Sequence, residues 1–330
     1  MIKESLALDD VLLVPQYSEV RSRADVDVTV KINDFEFSNP IIPANMKTVT
    51  GKEMCKIVTE NKGLAILHRF MPIEEQLEIV KDLDKNYISI SVGVKQEDKD
   101  NIQKFIDAGI KIFCIDIAHC DSLQGVEMIQ FIKGLMPNCL LIAGNVATGS
   151  GAKRLWWAGA DIVKTGVGAS KVCSTRIEAA SGVGQLSALI DVKSAQFELQ
   201  HSNLNRNFYF IADGGIKNAG DAAKCLCLAD MVMIGSLFAG CDESPGQLIQ
   251  GETSYFKEYV GSSTHKEIRI EGIKTRVPYS GKYKDVLQNL IFGIQSCCSY
   301  QGVSNLVDLK ENPEFIKISH AGLIESHPRP

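Results

Sequence analysis

Three side chains that can do chemistry lie within four residues of one another in a glycine-containing stretch. Cys173 is followed by Thr175 and Arg176, and it is preceded by Gly166 and Gly168. A short apolar run comes before the glycines, which predicts a loop at the end of a β-strand. Glycine allows a backbone to approach a ligand closely. A thiol on such a loop can act as a nucleophile, so Cys173 is the candidate nucleophile.

The remaining cysteines do not indicate a disulfide framework or a metal site. The chain has 10 cysteines without C-x-x-C spacing, and no histidine spacing near them is typical of zinc. In a reducing compartment, cysteines mostly serve as small core residues. Only Cys173 stands in a context that favours reactivity.

Composition excludes several classes of function. The 330 residues are 45% hydrophobic and 23% charged, with a net charge of -5. This balance is ordinary for a globular protein and gives no basic footprint for nucleic acid. No apolar run reaches the length of a membrane span, and acidic residues near Met1 argue against a signal peptide. We therefore expect a cytoplasmic protein that binds neither membrane nor nucleic acid.

Short apolar runs alternate with helical patterns along the whole chain. Runs of this length, bounded by Gly, Asn or Asp, are typical of strands buried on both faces. The eight runs are residues 40–44, 63–67, 88–92, 111–115, 140–143, 161–165, 209–212 and 230–234. Eight strands that alternate with helices predict an α/β fold, a (β/α)8 TIM barrel. An open doubly wound sheet is the alternative. No linker divides the chain, so residues 1–330 are expected to form a single domain.

Glycines after the last two predicted strands suggest a phosphate site. Asp213, Gly214 and Gly215 follow the seventh strand, and Gly235 and Ser236 follow the eighth. The corresponding loops of such barrels often bind phosphate through backbone N–H groups. These glycines could instead form tight turns. An acidic side chain does not suit a phosphate, so Asp213 is assigned to a ribose hydroxyl.

Motifs in a fixed order extend over nearly the whole chain. They are LDDVLLVP at 8–15, PANM at 43–46, IDIAH at 115–119, IAGNV at 142–146, the Cys173 loop, ADGGI at 212–216, MIGS at 233–236 and EGIKTRVPY at 271–279. On these motifs the chain resembles the inosine monophosphate dehydrogenase / guanosine monophosphate reductase family. The resemblance implies a cysteine that attacks C2 of a purine nucleotide.

Within the family the reductase branch, especially its bacterial subgroup, is the more similar. The barrel carries no inserted regulatory module, the segment after Gly261 is short, and Arg176 follows the Cys-Ser-Thr sequence. The loop departs from the family, however, because Ala169 and Ser170 stand where Pro and Gly are usual, and Cys120 and Asp121 replace another usual glycine. The resemblance implies GMP reduction by NADPH, purine nucleotide salvage, and a homotetramer.

The resemblance also implies roles for individual residues. The implied catalytic residues are Cys173, Thr175 and Glu271, and the implied cofactor contacts are Arg69, Asp116, His119 and Asn145. The implied nucleotide contacts are Asp213, Gly214, Gly215, Gly235, Ser236, Ser262, Ser263, Gly272 and Arg176. The carbonyls of Gly166 and Gly168 are implied ligands of a monovalent cation such as K⁺.

Three alternatives stay open on the sequence. The first is an IMP dehydrogenase without its regulatory module. The second is a flavin-dependent barrel oxidoreductase, which also uses glycine loops after the last two strands for phosphate. The third is a non-catalytic nucleotide-binding relative, which the changed residues Ala169 and Ser170 allow.

Overall fold

A pair of strands far apart in sequence ties the two ends of the described chain together. The computed structural model describes residues 2–202, 206–261 and 273–326. Strand β1 (Val11–Leu13) pairs antiparallel with β15 (Phe315–Lys317), and β2 (Val30–Ile32) forms a hairpin with β3 (Phe35–Phe37). Ile32 at the end of β2 and Phe37 at the end of β3 are fully buried, so this hairpin packs on the core.

Eight parallel strands follow and form one sheet. They are β4 (Ile41–Pro43), β5 (Ala65–Leu67), β6 (Ile88–Val92), β7 (Ile112–Asp116), β8 (Leu140–Val146), β9 (Ile162–Thr165), β10 (Tyr209–Asp213) and β11 (Met231–Ile234). Their hydrogen-bonded order is β4-β11-β10-β9-β8-β7-β6-β5. The two ends of this order, β4 and β5, also contact each other, so the sheet closes nearly into a ring. The predicted TIM barrel is confirmed, and the open doubly wound sheet is wrong.

The helices alternate with the strands, as parallel neighbours require. They are α1 (Lys52–Glu60), α2 (Ile73–Val80), α3 (Gln96–Asp107), α4 (Leu123–Leu135), α5 (Gly149–Ala158), α6 (Thr175–Glu178), α7 (Gln185–Gln200), α8 (Ala219–Leu226), α9 (Ser236–Ala239), α10 (Tyr283–Tyr300), α11 (Leu306–Leu309) and α12 (His320–Glu325). Several begin at a side-chain cap: Ser122, Thr148 and Asn218 each accept a hydrogen bond from a first-turn N–H. Among the described residues, no helix combines the length and apolar character that crossing a membrane requires.

A small antiparallel sheet extends from the barrel after α9. It consists of β12 (Leu248–Gln250), β13 (Tyr255–Val260) and β14 (Lys274–Pro278) in sequential order. The middle strand β13 carries Tyr259, which is 2% exposed, against the barrel. Lys257, buried on the same face of β13 as Tyr259, donates to the carbonyls of Cys241 and Ser244, at 2.7 and 2.6 Å. These contacts fix the small sheet over the carboxyl ends of the barrel strands.

The barrel strands are almost completely buried, and their apolar side chains form one core. Ile88–Val92 and Met231–Ile234 are buried at every position, which explains why the sequence shows continuous apolar runs and no alternation there. Trp156 on α5 is fully buried and donates from its indole nitrogen to the Tyr209 carbonyl at 3.1 Å. Its neighbour Trp157 is 62% exposed.

Two helical glycines give opposite expectations for stability. A Cβ added at Gly293 on α10 would lie 2.2 Å from the Cβ of Ala219, at the contact between α10 and α8, whereas a Cβ at Gly134 on α4 would meet nothing within 4 Å. We expect Gly293→Ala to lower the free energy of unfolding by roughly 1–3 kcal/mol through overpacking. Gly134→Ala is expected to raise it by roughly 0.5–1 kcal/mol, because alanine restricts the unfolded chain and favours the helix.

Urea unfolding followed by circular dichroism measures both changes. A Gly293→Ala variant as stable as the starting protein would contradict the close packing of α8 against α10.

Candidate active site

Two adjoining cavities open where the barrel strands end. The first has a volume of about 350 Å³ and the second about 290 Å³. Both are bounded by the loop after β9, and both touch Met46, Asp213 and Met233. Since the carboxyl ends of parallel strands meet at one edge of a barrel, residues distant in sequence converge there.

The nucleophile candidate lies at the first cavity, in contact with a hydroxyl. Cys173 is half-buried, and its Sγ lies 3.0 Å from Oγ1 of Thr175, the first residue of α6. The Cys173 N–H donates to the Ser170 carbonyl at 3.1 Å, which closes a tight turn before the cysteine. Thr175 is buried and also lines this cavity. The turn therefore holds thiol and hydroxyl together at the cavity wall.

The other thiols near the barrel axis are kept protonated by their surroundings. Burial raises the pKa of Cys114 to about 12, and it does the same for Cys120. A thiol must ionise to be a strong nucleophile, so neither competes with Cys173 at neutral pH. Outside the cavities, Cys297 on α10 is half-buried.

One half of the first cavity carries cationic and aromatic side chains from the loops after β5 and β6. Arg69 lies 4.8 Å over the Phe70 ring, and its Nε donates to the Asp116 carbonyl at 3.3 Å. Lys95 completes this part of the wall beside the apolar Ile117. A flat ring that carries phosphate groups fits such a combination of cations, ring face and aliphatic surface.

A buried ammonium sits at the bottom of the first cavity. Lys164, on β9, has a side chain that is 1% exposed, and its Nζ lies 2.6 Å from Asp116 Oδ1 and 3.6 Å from Asp213 Oδ2. Burial alone would lower the pKa of Lys164, but the two carboxylates outweigh it and the pKa is raised.

The two carboxylates respond differently to the same environment. Burial would raise the pKa of Asp116, but the Lys164 ammonium outweighs it and holds that pKa below its usual range. For Asp213, burial dominates over the attraction of Lys164, and its pKa is raised. The shorter distance from Lys164 to Asp116 explains the difference. Asp116 is thus the firmly ionised member of the group.

Asn145 connects this charged group to the nucleophile loop. Its Nδ2 donates to Asp213 Oδ2 at 2.9 Å and to the Gly166 carbonyl at 2.8 Å. The register between β8 and β9 shifts between Gly144 and Val146, which takes Asn145 out of the regular ladder and directs its side chain to these acceptors.

The second cavity is lined by the glycine loops after β10 and β11. Gly214 and Gly215 have φ of 98° and 81°, a conformation in which a side chain would be strained. Gly235 is required for a different reason, because a Cβ there would lie 2.2 Å from the Tyr259 hydroxyl. Ser236, at the start of α9, completes this wall. The wall is therefore shaped by bare backbone, as close binding of a phosphate requires.

The substituted residues of the nucleophile loop are accommodated at the boundary of the two cavities. Ala169 and Ser170 line both of them. The Ser170 hydroxyl hydrogen-bonds with Tyr259, although burial dominates and raises the pKa of Tyr259 to about 12. The neutral phenol of Tyr259 thus joins the loop after β9 to the small antiparallel sheet.

Other predicted site residues differ in where the structure puts them. Arg69, Asp116, Asn145, Gly166 and Gly168 line the first cavity, and Arg176, Asp213, Gly214, Gly215, Gly235 and Ser236 line the second. The Arg176 guanidinium donates to the Val183 carbonyl at 2.7 Å. His119 is exposed and lines neither cavity. Ser262, Ser263, Glu271 and Gly272 lie outside the described residues.

The predicted cation ligands have unusual backbone geometry. Gly166 and Gly168 have φ of 149° and 79°. The Gly166 carbonyl already accepts from Asn145 and keeps a second lone pair for a further partner. Within residues 2–202, 206–261 and 273–326, no group of three or more His, Cys, Asp or Glu side chains is placed to hold a metal ion.

Lys164, Lys95 and Tyr259 were not predicted as site residues. Lys164 lies within an apolar run that predicts a buried strand, whereas Tyr259 lies in a segment for which no strand was predicted. The one available signal was the lysine itself, since a buried strand seldom carries a cation without a carboxylate partner. Lys95 is an ordinary charged residue after a strand, and the sequence gives no sign that it reaches the cavity.

Comparison with known proteins agrees with this geometry. Residues 5–329 match the model of the "IMP dehydrogenase / GMP reductase domain" family. A protein named GMP reductase from Clostridium acetobutylicum is 39% identical over 90% of this chain and 91% of its own length. The proteins of that name from Latilactobacillus sakei and Bacillus subtilis are 38% and 36% identical, each over 95% of this chain and 96% of its own length. A cysteine loop, a glycine cradle and a match over nearly all residues together show that the chain belongs to the IMP dehydrogenase / GMP reductase family.

Proposed function

We propose that this protein is a GMP reductase, which converts GMP to IMP and ammonia with NADPH as the reductant. The balanced reaction is GMP + NADPH + H⁺ → IMP + NH₃ + NADP⁺. The observation that carries the proposal is the Cys173 thiol, 3.0 Å from the Thr175 hydroxyl at a cavity that adjoins a glycine-walled second cavity. Relatives of similar length bear the name GMP reductase, which supports the same activity here.

A covalent intermediate is proposed because direct displacement at C2 is difficult. Ammonia is a poor leaving group, and nucleophilic catalysis divides one hard step into two easier ones. The Cys173 sulfur forms a bond to C2, and the electron pair of the adjacent C=N bond moves to nitrogen, which takes a proton. The C2–N bond to the amine then breaks, ammonia leaves, and the C=N bond re-forms as a thioimidate on Cys173.

Thr175 is proposed to handle the proton that ammonia needs to depart. Thr175 is buried and its hydroxyl contacts the Cys173 sulfur, so the hydroxyl would lie close to the amine on C2 once the sulfur has bonded to that carbon. Glu271, outside the described residues, is proposed to activate this hydroxyl, which delivers its proton to the departing amine; the Glu271 carboxyl group then replaces that proton on the Thr175 oxygen. In the second half-reaction a hydride takes the place of the sulfur at C2, so that the C2–S bond breaks and the thiolate of Cys173 is restored.

The first cavity is proposed to bind the cofactor, with contacts from Arg69, Asp116 and Asn145. His119, which is exposed and does not line this cavity, is proposed as a further cofactor contact. NADPH, when bound, supplies the hydride that becomes the C2 hydrogen of IMP. The residues present fit such a group, since Arg69 and Lys95 offer positive charge for phosphates and the Phe70 face offers a stacking surface.

The second cavity is proposed to bind the ribose phosphate of GMP. Gly214, Gly215, Gly235 and Ser236 would surround the phosphate, with Arg176 nearby, and Asp213 would accept from a ribose hydroxyl. Ser262, Ser263 and Gly272 are proposed to complete the binding of base and phosphate from outside the described residues.

The proposal includes an assembly and an ion. We infer a homotetramer, to which the exposed rings of Trp157 and Phe197 offer apolar surface, at 62% and 59% exposure. The Gly166 and Gly168 carbonyls are proposed to bind K⁺. Product IMP would return guanine nucleotides to the common purine pool, in a reducing cytoplasm that suits ten free thiols.

Nicotinamide absorbance tests the proposal directly. The purified protein is mixed in turn with GMP and NADPH, with GMP and NADH, and with IMP and NAD⁺. Oxidation of NADPH that requires GMP and releases ammonia is the expected result. Reduction of NAD⁺ with IMP would replace the proposal by IMP dehydrogenase, a yellow protein with bound flavin would replace it by a flavin enzyme, and no turnover in any mixture would leave a binding protein.

Replacement of the nucleophile should separate catalysis from binding. We expect Cys173→Ala to lower kcat by at least about 10³-fold, because the covalent route is lost, while GMP binding stays within about threefold. Cys297→Ala, a change at a half-buried thiol outside both cavities, serves as the matched control and should leave kcat unchanged. Retention of turnover by Cys173→Ala would exclude the thioimidate.

Thiol labelling offers a test that does not depend on turnover. Cys173 and Cys297 are half-buried and the other eight cysteines are buried, so brief iodoacetamide treatment should modify mainly these two. GMP should protect Cys173 by at least about fivefold and leave Cys297 unprotected, since only Cys173 lines a cavity. Peptide mass mapping measures both rates, and equal protection of the two thiols would contradict nucleotide binding beside Cys173.

A further inference from the structure

Lys164 is the shared partner of two carboxylates that belong to different halves of the site. Asp116 ends β7 and lines the first cavity alone, whereas Asp213 ends β10 and lines both cavities. Within the described residues, the salt bridges of Asp116 and of Asp213 are all made with Lys164, at 2.6 and 3.6 Å. One ammonium thus stands between the carboxylate of the cofactor half and the carboxylate of the nucleotide half.

The strand that carries Lys164 packs closely against its neighbour. A Cβ at Gly144 on β8 would lie 2.4 Å from the Cβ of Lys164, so the neighbouring strand must carry glycine there. A buried ion pair adds little net stability compared with apolar side chains of the same volume. A buried lysine that lines a ligand cavity therefore indicates a role in the site, not in the core.

We propose that Lys164 is a positioning residue that prepares both the cofactor site and the nucleotide site for their ligands. Its ammonium contacts two carboxylates in one cavity wall and fixes both of them, so that Asp116 and Asp213 point to their ligands before either ligand arrives. Asn145, which donates to Asp213 and to the Gly166 carbonyl, carries the same arrangement to the Cys173 loop. This inference rests on the proposed function for the identity of the two ligands.

The role of Lys164 in both sites follows from the charge of the two carboxylates that it contacts. Without Lys164, two carboxylates would face one cavity with no other cation of the described residues within ion-pair distance, and their repulsion together with burial would favour protonation or displacement of each of them. Either change removes an acceptor that a ribose hydroxyl needs. The defect must therefore appear in the binding of both ligands, although Lys164 belongs to one strand.

Titration calorimetry of two variants tests the proposal without turnover. In the Cys173→Ala protein, Lys164→Met should weaken both GMP and NADPH by at least about tenfold, while Lys164→Arg, which keeps the charge, should stay within about threefold of the parent for each ligand. Weakening of one ligand alone, or of neither, would overturn the proposal. Circular dichroism and the thermal midpoint confirm that each variant is folded.

A matched lysine separates the positioning role from general stability. Lys133 on α4 forms an ion pair of 2.7 Å with Asp161, away from both cavities, and its side chain is 18% exposed. Lys133→Met should reduce thermal stability and leave both affinities unchanged. If Lys133→Met weakens the ligands as much as Lys164→Met does, Lys164 acts only through stability and the proposal is wrong.

A double-mutant cycle tests whether Lys164 and Asp213 act as a unit, and Lys164→Gln takes the place of Lys164→Met in it if the methionine variant does not fold. Asp213→Asn weakens GMP in the parent, and the proposal expects this factor to be at least about tenfold smaller when Lys164 is already Met, because the two residues act as a unit. Independent factors that simply multiply would refute it. Failure of the proposed function looks different, since the wild-type protein would then not oxidise NADPH with GMP at all.

Discussion

The site depends on the ion pairs that the buried ammonium of Lys164 makes with Asp116 and Asp213. A cation that is 1% exposed inside a barrel must be matched by anions, and both anions end strands whose carboxyl termini converge at one edge. The pairing with Asp116 is close enough to outweigh burial, and the pairing with Asp213 is not. Asn145 donates to both Asp213 and the Gly166 carbonyl, so it fixes the start of the loop that carries Cys173 relative to Asp213. The ion pairs of Lys164 and the position of the Cys173 loop therefore depend on each other.

Much of the barrel could be predicted from the sequence, because strands buried on both faces leave continuous apolar runs. Residues 88–92 were predicted as a strand and are observed as one. The run 140–143 predicted too short a strand, since β8 continues through Asn145, whose polarity in the sequence resembles the end of a strand. The sheet of β12, β13 and β14 was not predicted, because its exposed first strand has no apolar period against the core.

The same reasoning explains which parts of the site were found. Glycine, cysteine and aspartate after a strand are visible in sequence because their positions alone indicate loops at one rim. Lys164 and Tyr259 lie within strands and reach the site through long side chains. The periodicity of a sequence indicates which face of a strand a residue occupies, but it does not indicate how far the side chain extends. His119 illustrates the converse, since a histidine after a strand is exposed here and lines neither cavity.

The pairing of β1 with β15 links a distant part of the chain to the second cavity. Leu8 and Asp9 lie along the second cavity, and β1 begins two residues later at Val11. The backbone of β1 is fastened by β15, with Val11 opposite Lys317, and Lys224 donates to the Leu8 carbonyl at 2.8 Å. β15 thus holds the backbone that carries Leu8 and Asp9 along the second cavity, so deletion of residues 315–317 would disturb that wall although none of those residues lines it.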